Sequence, residues 1–405
     1  MDTYAQCQKR FPDRMKIVAA ADINEDRLAM MREQFGLSEE QCYNSAEEML
    51  DQGRLADAMI IATTDQMHYA EAMSALEKGY HLLLEKPISP TEKECRDIVA
   101  LAKKRKRHVI VCHVLRYTVF YQKIKELIDA GTIGDIVSVQ AIEKVGYWHQ
   151  GHSFVRGNWR NSDLSSPMIL QKCCHDMDII LWLTGKHCRQ VSSFGSLTHF
   201  TAQNAPKGAP MYCNEGCPAA DHCPYNAVRY YMDQLKSGEK GWPLTSLTTV
   251  LTEENVLRAL KDGPFGRCIY RCDNNVVDHQ VVNLLLEDGA TVNFTMCAFT
   301  KACARHIRLM GTKGEIYGDL QNNTIQIFPF MGEDECIDVS KLTDDFTGHS
   351  GGDPRMVDMF LNLIAGENCD ETTLSSVDMS LESHLVAFAA ERSRLNGGQI
   401  QNVEL

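Results

Sequence analysis

Residues 56–114 read ADAMIIATTDQMHYAEAMSALEKGYHLLLEKPISPTEKECRDIVALAKKRKRHVIVCHV. Three short apolar runs stand out: ADAMIIAT (Ala56 to Thr63), HLLLEKP (His81 to Pro87) and HVIVCHV (His108 to Val114). Two amphipathic stretches lie between them, HYAEAMSALEKG ending at Gly79 and TEKECRDIVALAKKR. Apolar runs of strand length without polar alternation predict strands buried on both faces, and the helical stretches between them supply the crossovers. Toward the N-terminus the unit repeats, with IVAAAD (Ile17 to Asp22) as a buried strand and NEDRLAMMREQFG as a helix closed by Gly36. Such alternation implies parallel pairing with right-handed crossovers, a doubly wound Rossmann-like α/β sheet over residues 1–116, suited to a dinucleotide.

From about Tyr117 the pattern changes. IVSVQAIEKVGYW, VVNLLLEDGATVNFTMCAF and EIYGDLQNNTIQIF are longer alternating strands, with hairpin turns at Glu287-Asp288-Gly289 and Gln321-Asn322-Asn323. Residues 117–405 therefore read as an α+β domain, a mostly antiparallel sheet with helices on one face. A helix follows Asp353-Pro354, and another runs from about Leu374 to Arg394.

With 405 residues and 44% hydrophobic content the chain can fill real cores, and its formal charge of −13 gives no general attraction for nucleic acid or anionic lipid. No apolar run approaches the roughly 20 residues that span a bilayer. The opening MDTYAQCQKRF resembles neither a signal peptide nor a basic transit segment, which points to the cytoplasm. Sixteen cysteines in such a chain read as reduced thiols, with metal binding local if present.

A doubly wound nucleotide domain ordinarily starts with a strand and a Gly-rich turn, whose backbone approaches the pyrophosphate at a helix N-terminus. Here Tyr4, Cys7 and Phe11 form an i, i+3, i+7 stripe suited to the first helix, and the glycines at 36, 53 and 79 are isolated. The expectation is that a first strand and Gly-rich turn, about a dozen residues, are missing ahead of Met1. The alternative is a domain that never had the motif.

Asp22 ends a strand where a carboxylate accepts both ribose hydroxyls of an adenosine and repels a 2′-phosphate, favouring NAD over NADP; helix capping is its other use. Thr63, Thr64 and His68 follow the next strand, and Glu85-Lys86-Pro87 the one after. With AADIN, the Thr63 to His68 segment, EKPIS, HVLRY at His113 to Tyr117 and CCHDMDIILWLTG at Cys173 to Gly185, the chain resembles the Gfo/Idh/MocA family of NAD(P)-dependent sugar and cyclitol oxidoreductases. That resemblance implies hydride transfer between nicotinamide and a ring hydroxyl, with Thr63, Thr64, His68, Glu85 and Lys86 at the cofactor. It places Lys86 beside the substrate hydroxyl and His175 as acid/base. It also implies a homodimer or homotetramer formed through the second-domain sheet. Many relatives carry Asp four residues before the histidine and Gly two before it, where this chain has Gln171 and Cys173. Lys172 is then a candidate for part of the proton chemistry, and Asp176 and Asp178 for fixing the ring.

For a carbohydrate or cyclitol substrate, the aromatic and polar stretch through Tyr147, His149, Arg156 and Trp159 offers stacking faces and hydrogen-bond donors, although it also reads as a structural loop. Arg116, Gln171 and His279 are further candidates. GHSGGDP (Gly348 to Pro354) reads as a substrate-side loop or a capping turn, with Asp353 as N-cap and His349 its reactive group. Cys213, Cys217 and Cys223 suit a structural Zn²⁺ or iron–sulfur cluster, with a fourth ligand from Cys173, Cys174 or a histidine, or else remain free thiols. Two other functions stay open. One is a redox-assisted glycosidase or lyase using tightly bound NAD, and the other a cofactor-free sugar-binding or regulatory protein.

Overall fold

In a computed structural model, which describes residues 2–405, the three apolar runs pair as expected. β3 (Ala58–Ile61), β4 (His81–Leu84) and β5 (Val109–Val111) are parallel neighbours, Ala58 opposite His81 and Leu82 opposite Val109. Helices Asp65–Glu77 and Glu92–Arg105 cross between them. The second is capped by Thr91, whose side chain accepts the Glu94 N–H. Leu82, Leu83 and Leu84 are all buried, as strands covered on both faces require.

β1 (Ala20–Ala21) and β2 (Cys42–Tyr43) form a separate parallel pair, linked by helix Glu25–Phe35, which ends at Gly36 with φ 67°. Among the described residues no strand joins β1 to β3, so the doubly wound sheet is in two pieces. The strand expected over Ile17 to Asp22 shortens to Ala20–Ala21, and Ile17 to Ala19 are half-buried rather than buried. An edge with no second neighbour holds less backbone in register. Tyr4 and Cys7 are buried as the stripe predicted, beside Leu83 and Ile110, and the Tyr4 hydroxyl donates to Glu85 at 2.6 Å.

The second domain is built on a nine-stranded sheet. In chain order its strands are β6 (Ile136–Lys144), β7 (Cys188–Ser196), β8 (His279–Leu286), β9 (Thr291–Cys297), β10 (Ala304–Gly311), β11 (Gly314–Asp319), β12 (Thr324–Pro329), β13 (Glu335–Asp338) and β14 (Gln401–Asn402). The spatial order is β13-β12-β11-β10-β6-β9-β8-β7-β14, antiparallel except for β6 with β9. Both expected turns join hairpins, with Gly289 (φ 94°) between β8 and β9 and Asn323 (φ 52°) between β11 and β12. Helices Cys174–Thr184 and Val377–Leu395 pack on one face, while Val137, Ile142 and Phe194 on other strand positions are exposed. Helix Val377–Leu395 also returns to helix Glu92–Arg105, and the His384 ring accepts the Ile88 N–H at 2.9 Å, tying the chain's end to the loop after Lys86.

Between β7 and β8 a long insertion carries helices Ala227–Lys236 and Glu253–Asp262. No helix of the described residues is long and apolar enough to cross a membrane.

Candidate functional site

The carboxyl ends of β3, β4 and β5 face the second domain, and there the chemistry-bearing residues gather. Lys86, two residues past β4, donates from Nζ to the Gln171 carbonyl oxygen at 2.8 Å and stands 5.7 Å over the Trp159 ring. Gln171 is buried, its amide N–H₂ at 3.4 Å from both Asp65 and Ser165 and its Oε1 without a partner. Asp65, at the start of helix Asp65–Glu77, accepts the Ser165 and Ser166 hydroxyls, the latter at 2.6 Å. A carboxylate of the first domain thus clamps the second domain's approach to Lys86.

Helix Met168–Gln171 ends at Gln171, a turn at Lys172 and Cys173 follows, and His175 opens helix Cys174–Thr184, 7% exposed, with Nδ1 buried and unpartnered. Burial first, then the Lys86 cation and His113, hold its pKa well below the ordinary value, so the ring is neutral near pH 7. His113, from the end of β5, meets it edge-on at 5.5 Å between ring centroids and has both ring nitrogens buried without hydrogen bonds. Burial pulls His113 down to about 4. Behind it, His113 Nε2 is 3.9 Å from Asp178, which is itself gripped by Arg116 through two bonds of 2.7 Å. Burial alone would raise Asp178; the guanidinium more than reverses that and leaves it below the usual carboxylate range.

On the other side of His175, Lys172 stands 3.4 Å from Glu143, and Arg305 bridges Glu143 and Asp176 at 2.9 and 2.8 Å. Burial is the largest influence on Lys172 and lowers it, but Glu143, Cys303 and Asp176 together outweigh burial and the net pKa is raised. His149 lies near this cluster. Its pKa is pushed well down by burial and then by Lys172, and its Nδ1 is 3.6 Å from the Cys303 sulfur. Its ring also meets Trp242 at 5.0 Å and Trp148 at 5.6 Å. The insertion therefore places an aromatic wall beside the cluster.

Two family profiles match the chain. An oxidoreductase family NAD-binding Rossmann fold covers residues 2–113, and an oxidoreductase family C-terminal alpha/beta domain covers residues 125–401. The chain belongs to the Gfo/Idh/MocA oxidoreductase family. It is similar to the protein named YteT of Bacillus subtilis (strain 168), with 23% identity over 380 residues, 87% of this chain and 84% of that protein. It is also similar to an inositol 2-dehydrogenase of Corynebacterium glutamicum (strain R), with 30% identity over 130 residues, 32% of this chain and 35% of that one. Among solved structures, the WlbA dehydrogenase of Bordetella pertussis, in complex with NADH and UDP-GlcNAcA, shares the fold with a TM-score of 0.69 at 17% identity, covering 100% of this chain and 94% of that chain.

As a Gfo/Idh/MocA oxidoreductase, the chain should offer a nicotinamide nucleotide a carboxyl-edge cradle, and the residues present fit. Thr63 and Thr64 are exposed after β3, and Glu85 and Lys86 line the end of β4. Asp22 follows β1, one oxygen accepting the Asn24 N–H and the other 3.4 Å from Arg27. His68 departs from its expected place at the cofactor: it is buried, with its ring between the Pro87 and Thr63 carbonyl oxygens, so it braces the two loops against each other.

Three substrate candidates have their donors engaged within the fold. Arg116 is spent on Asp178 and the Leu374 carbonyl. Arg156 donates to the Arg267 and Tyr225 carbonyls inside the insertion. His279 pairs with Asp278 at 2.7 Å at the start of β8. In each case a buried or adjacent acceptor takes the donor that a sugar hydroxyl would need. Tyr147 meets Tyr225 at 6.1 Å, on the insertion side of His149. At GHSGGDP, Gly348 to Gly351 all have positive φ, and Asp353 faces the His349 ring at 3.0 Å instead of acting as a plain N-cap. Cys173 and Cys174 are buried in the second-domain helices, away from Cys213, Cys217 and Cys223, and so supply no fourth ligand to them. Among the described residues no group of three or more His, Cys, Asp or Glu side chains is placed, as it stands, to hold a metal ion.

His113, Asp65 and Trp242 are parts of this neighbourhood that sequence reasoning passed over. His113 was findable, since a polar residue at the carboxyl end of a parallel strand sits where such sheets bind ligands.

Proposed function

We propose that this NAD-binding oxidoreductase moves a hydride between nicotinamide and a ring hydroxyl of a sugar, glycoside or cyclitol, with Lys86 and His175 handling the proton. The observation that carries the reading is the convergence of the two: the Lys86 ammonium is anchored on the Gln171 carbonyl, across the turn that leads into the helix of His175, and adds to burial in lowering the imidazole's pKa. The bound nicotinamide supplies the hydride acceptor. Lys86 orients the substrate hydroxyl and favours its alkoxide. His175, neutral at pH 7, takes the proton. The imidazolium so formed faces His113 and, behind it, Asp178, which together do the work of the carboxylate that relatives carry at the Gln171 position. Trp159, Tyr147 and His149, with Trp148 and Trp242, form the stacking surface for the apolar face of the ring. Asp22 selects NAD over NADP through the ribose hydroxyls. The exposed sheet face bearing Val137, Ile142 and Phe194 is where copies of the chain would pair.

The Lys172–Glu143 pair beside His149 keeps a second reading in view, in which transient oxidation acidifies a neighbouring C–H and an aglycone is eliminated. Incubation with NAD and a panel of cyclitols, sugars and aryl glycosides separates the readings. Net NADH formation, lost in Lys86→Met and His175→Asn, supports the dehydrogenase. Aglycone release without net NADH selects elimination, and carbohydrate binding without any NAD binding overturns both.

A further inference from the structure

The insertion between β7 and β8 is held by two small clusters of buried residues, one around Phe200, Ile269 and Tyr270 and one around Tyr231 and Leu260. Modules with so little apolar core usually carry a staple. Where the first cluster opens there is a cavity of about 20 Å³, and four thiols line it: Cys213, Cys217, Cys223 and Cys268. No carboxylate, imidazole or lysine lines it with them.

The backbone brings these cysteines together from two distant segments. Tyr212 and Arg267 form an antiparallel bridge, flanked by the Cys213 N–H donating to Gly266 at 2.9 Å and the Cys268 N–H donating to Met211 at 2.7 Å. One residue past the bridge on each strand, and so on opposite sides of it, Cys213 and Cys268 share a face as a diagonal pair. Gly216, with φ 72°, turns the chain back toward Cys217, and the Cys223 N–H closes a further turn on Ala219. Arg156, 3% exposed, reaches the edge of the group with Nη2 3.9 Å from the Cys213 sulfur.

We propose that Cys213, Cys217, Cys223 and Cys268 hold one zinc ion as a tetrahedral tetrathiolate that staples the insertion. The cavity admits about one atom the size of a water molecule. That suits a single ion better than a cubane of eight iron and sulfur atoms. Four thiols without a carboxylate in the lining select a soft, thiophilic divalent ion over calcium or magnesium. The thiols are free and ring the cavity without yet converging. Closing on the ion takes rotation of side chains on a backbone already fixed by the bridge, with four thiol protons released to solvent. Four thiolates around Zn²⁺ leave a double negative charge, and the buried Arg156 guanidinium is placed to offset part of it. Cys272, four residues past Cys268, is bonded instead to the Cys268 carbonyl and lies off the cavity.

The test is elemental analysis of the purified full chain, with cobalt substitution and two serine variants. About one zinc per chain is expected, released by a mercurial thiol reagent. Cobalt-loaded protein should show thiolate-to-cobalt charge-transfer bands with tetrahedral d–d bands. Cys272→Ser should keep the metal and Cys268→Ser should lose most of it. Sub-stoichiometric zinc with no cobalt bands in the unsubstituted chain overturns the proposal without depending on any variant's folding. So does a disulfide within the group, iron with acid-labile sulfide, or a Cys268→Ser protein that binds zinc like its parent.

Discussion

Arg116 read as a substrate ligand in the sequence and as the partner of a buried carboxylate in the structure, and a stability measurement decides between the two. Arg116 is 2% exposed and Asp178 1%, joined by two bonds of 2.7 Å. Replacing Asp178 with Asn removes the countercharge and leaves a desolvated guanidinium with a neutral acceptor. Breaking one side of such a pair costs about 3–5 kcal/mol, a large share of the roughly 5–15 kcal/mol that holds a typical protein folded. Arg116→Met strands the carboxylate and should cost a similar amount. The double variant Arg116→Met, Asp178→Leu removes both charges. It should recover most of the loss, since well-packed apolar replacements of buried pairs are often neutral. Urea unfolding followed by circular dichroism should show the midpoint falling by about 1–2 M in each single variant and returning in the double. The reasoning fails if Arg116→Met unfolds like the parent while losing carbohydrate affinity, because the guanidinium would then belong to the ligand.

Acid should destabilise the protein well above the range where carboxylates titrate. His113 is lowered to about 4 and His384 to about 3, both chiefly by burial. Unfolding lets each ring take up a proton near pH 6.5, so stability is intact above that value and falls as pH drops toward the folded pKa. Between pH 8 and pH 5 each ring withdraws about 2 kcal/mol, and a Tm that is flat across that interval would contradict the burial of these rings. Lys86→Met should abolish turnover by at least about 100-fold, the lower end of general acid–base contributions, while leaving fluorescence-detected NADH binding within a few-fold of the parent; equal losses in both would make Lys86 a cofactor ligand alone. His113→Asn should move the acid limb of the kcat/KM profile, and an unchanged profile in a folded, active variant would detach His113 from His175. Gly352→Ala would set its Cβ 2.5 Å from the Val114 carbonyl oxygen, so the loop and the strand end must part; a loss of about 1–3 kcal/mol is expected and calorimetry reads it.

The parallel strands were legible because burial on both faces writes an unbroken apolar run, as Leu82 to Leu84 show, and the hairpins because Gly289 and Asn323 meet a positive φ that few residues tolerate. The division of the doubly wound sheet was foreseeable from the isolated glycines; the shortening of the strand at Ile17 was not, since apolar character says nothing about which neighbours are present to pair with. At the site, residue types singled out Lys86 and His175, which the structure brings into one neighbourhood, whereas Arg116, Arg156, His279 and His68 are engaged by acceptors within the fold. A donor's role depends on which acceptor lies nearest in space, and those acceptors, Asp178, the Tyr225 carbonyl, Asp278 and the Pro87 carbonyl, come from other segments or from backbone that carries no signature. The cysteines show the same limit from the other side. Cys213-x₃-Cys217 and Cys268-x₃-Cys272 have equal spacing in the sequence, yet only a bridge between Tyr212 and Arg267 selects Cys268 over Cys272 for the shared cavity. Spacing proposes ligands, but it is the pairing of distant backbones that chooses among them, so long insertions without strong periodicity are where structure adds most to a reading of sequence.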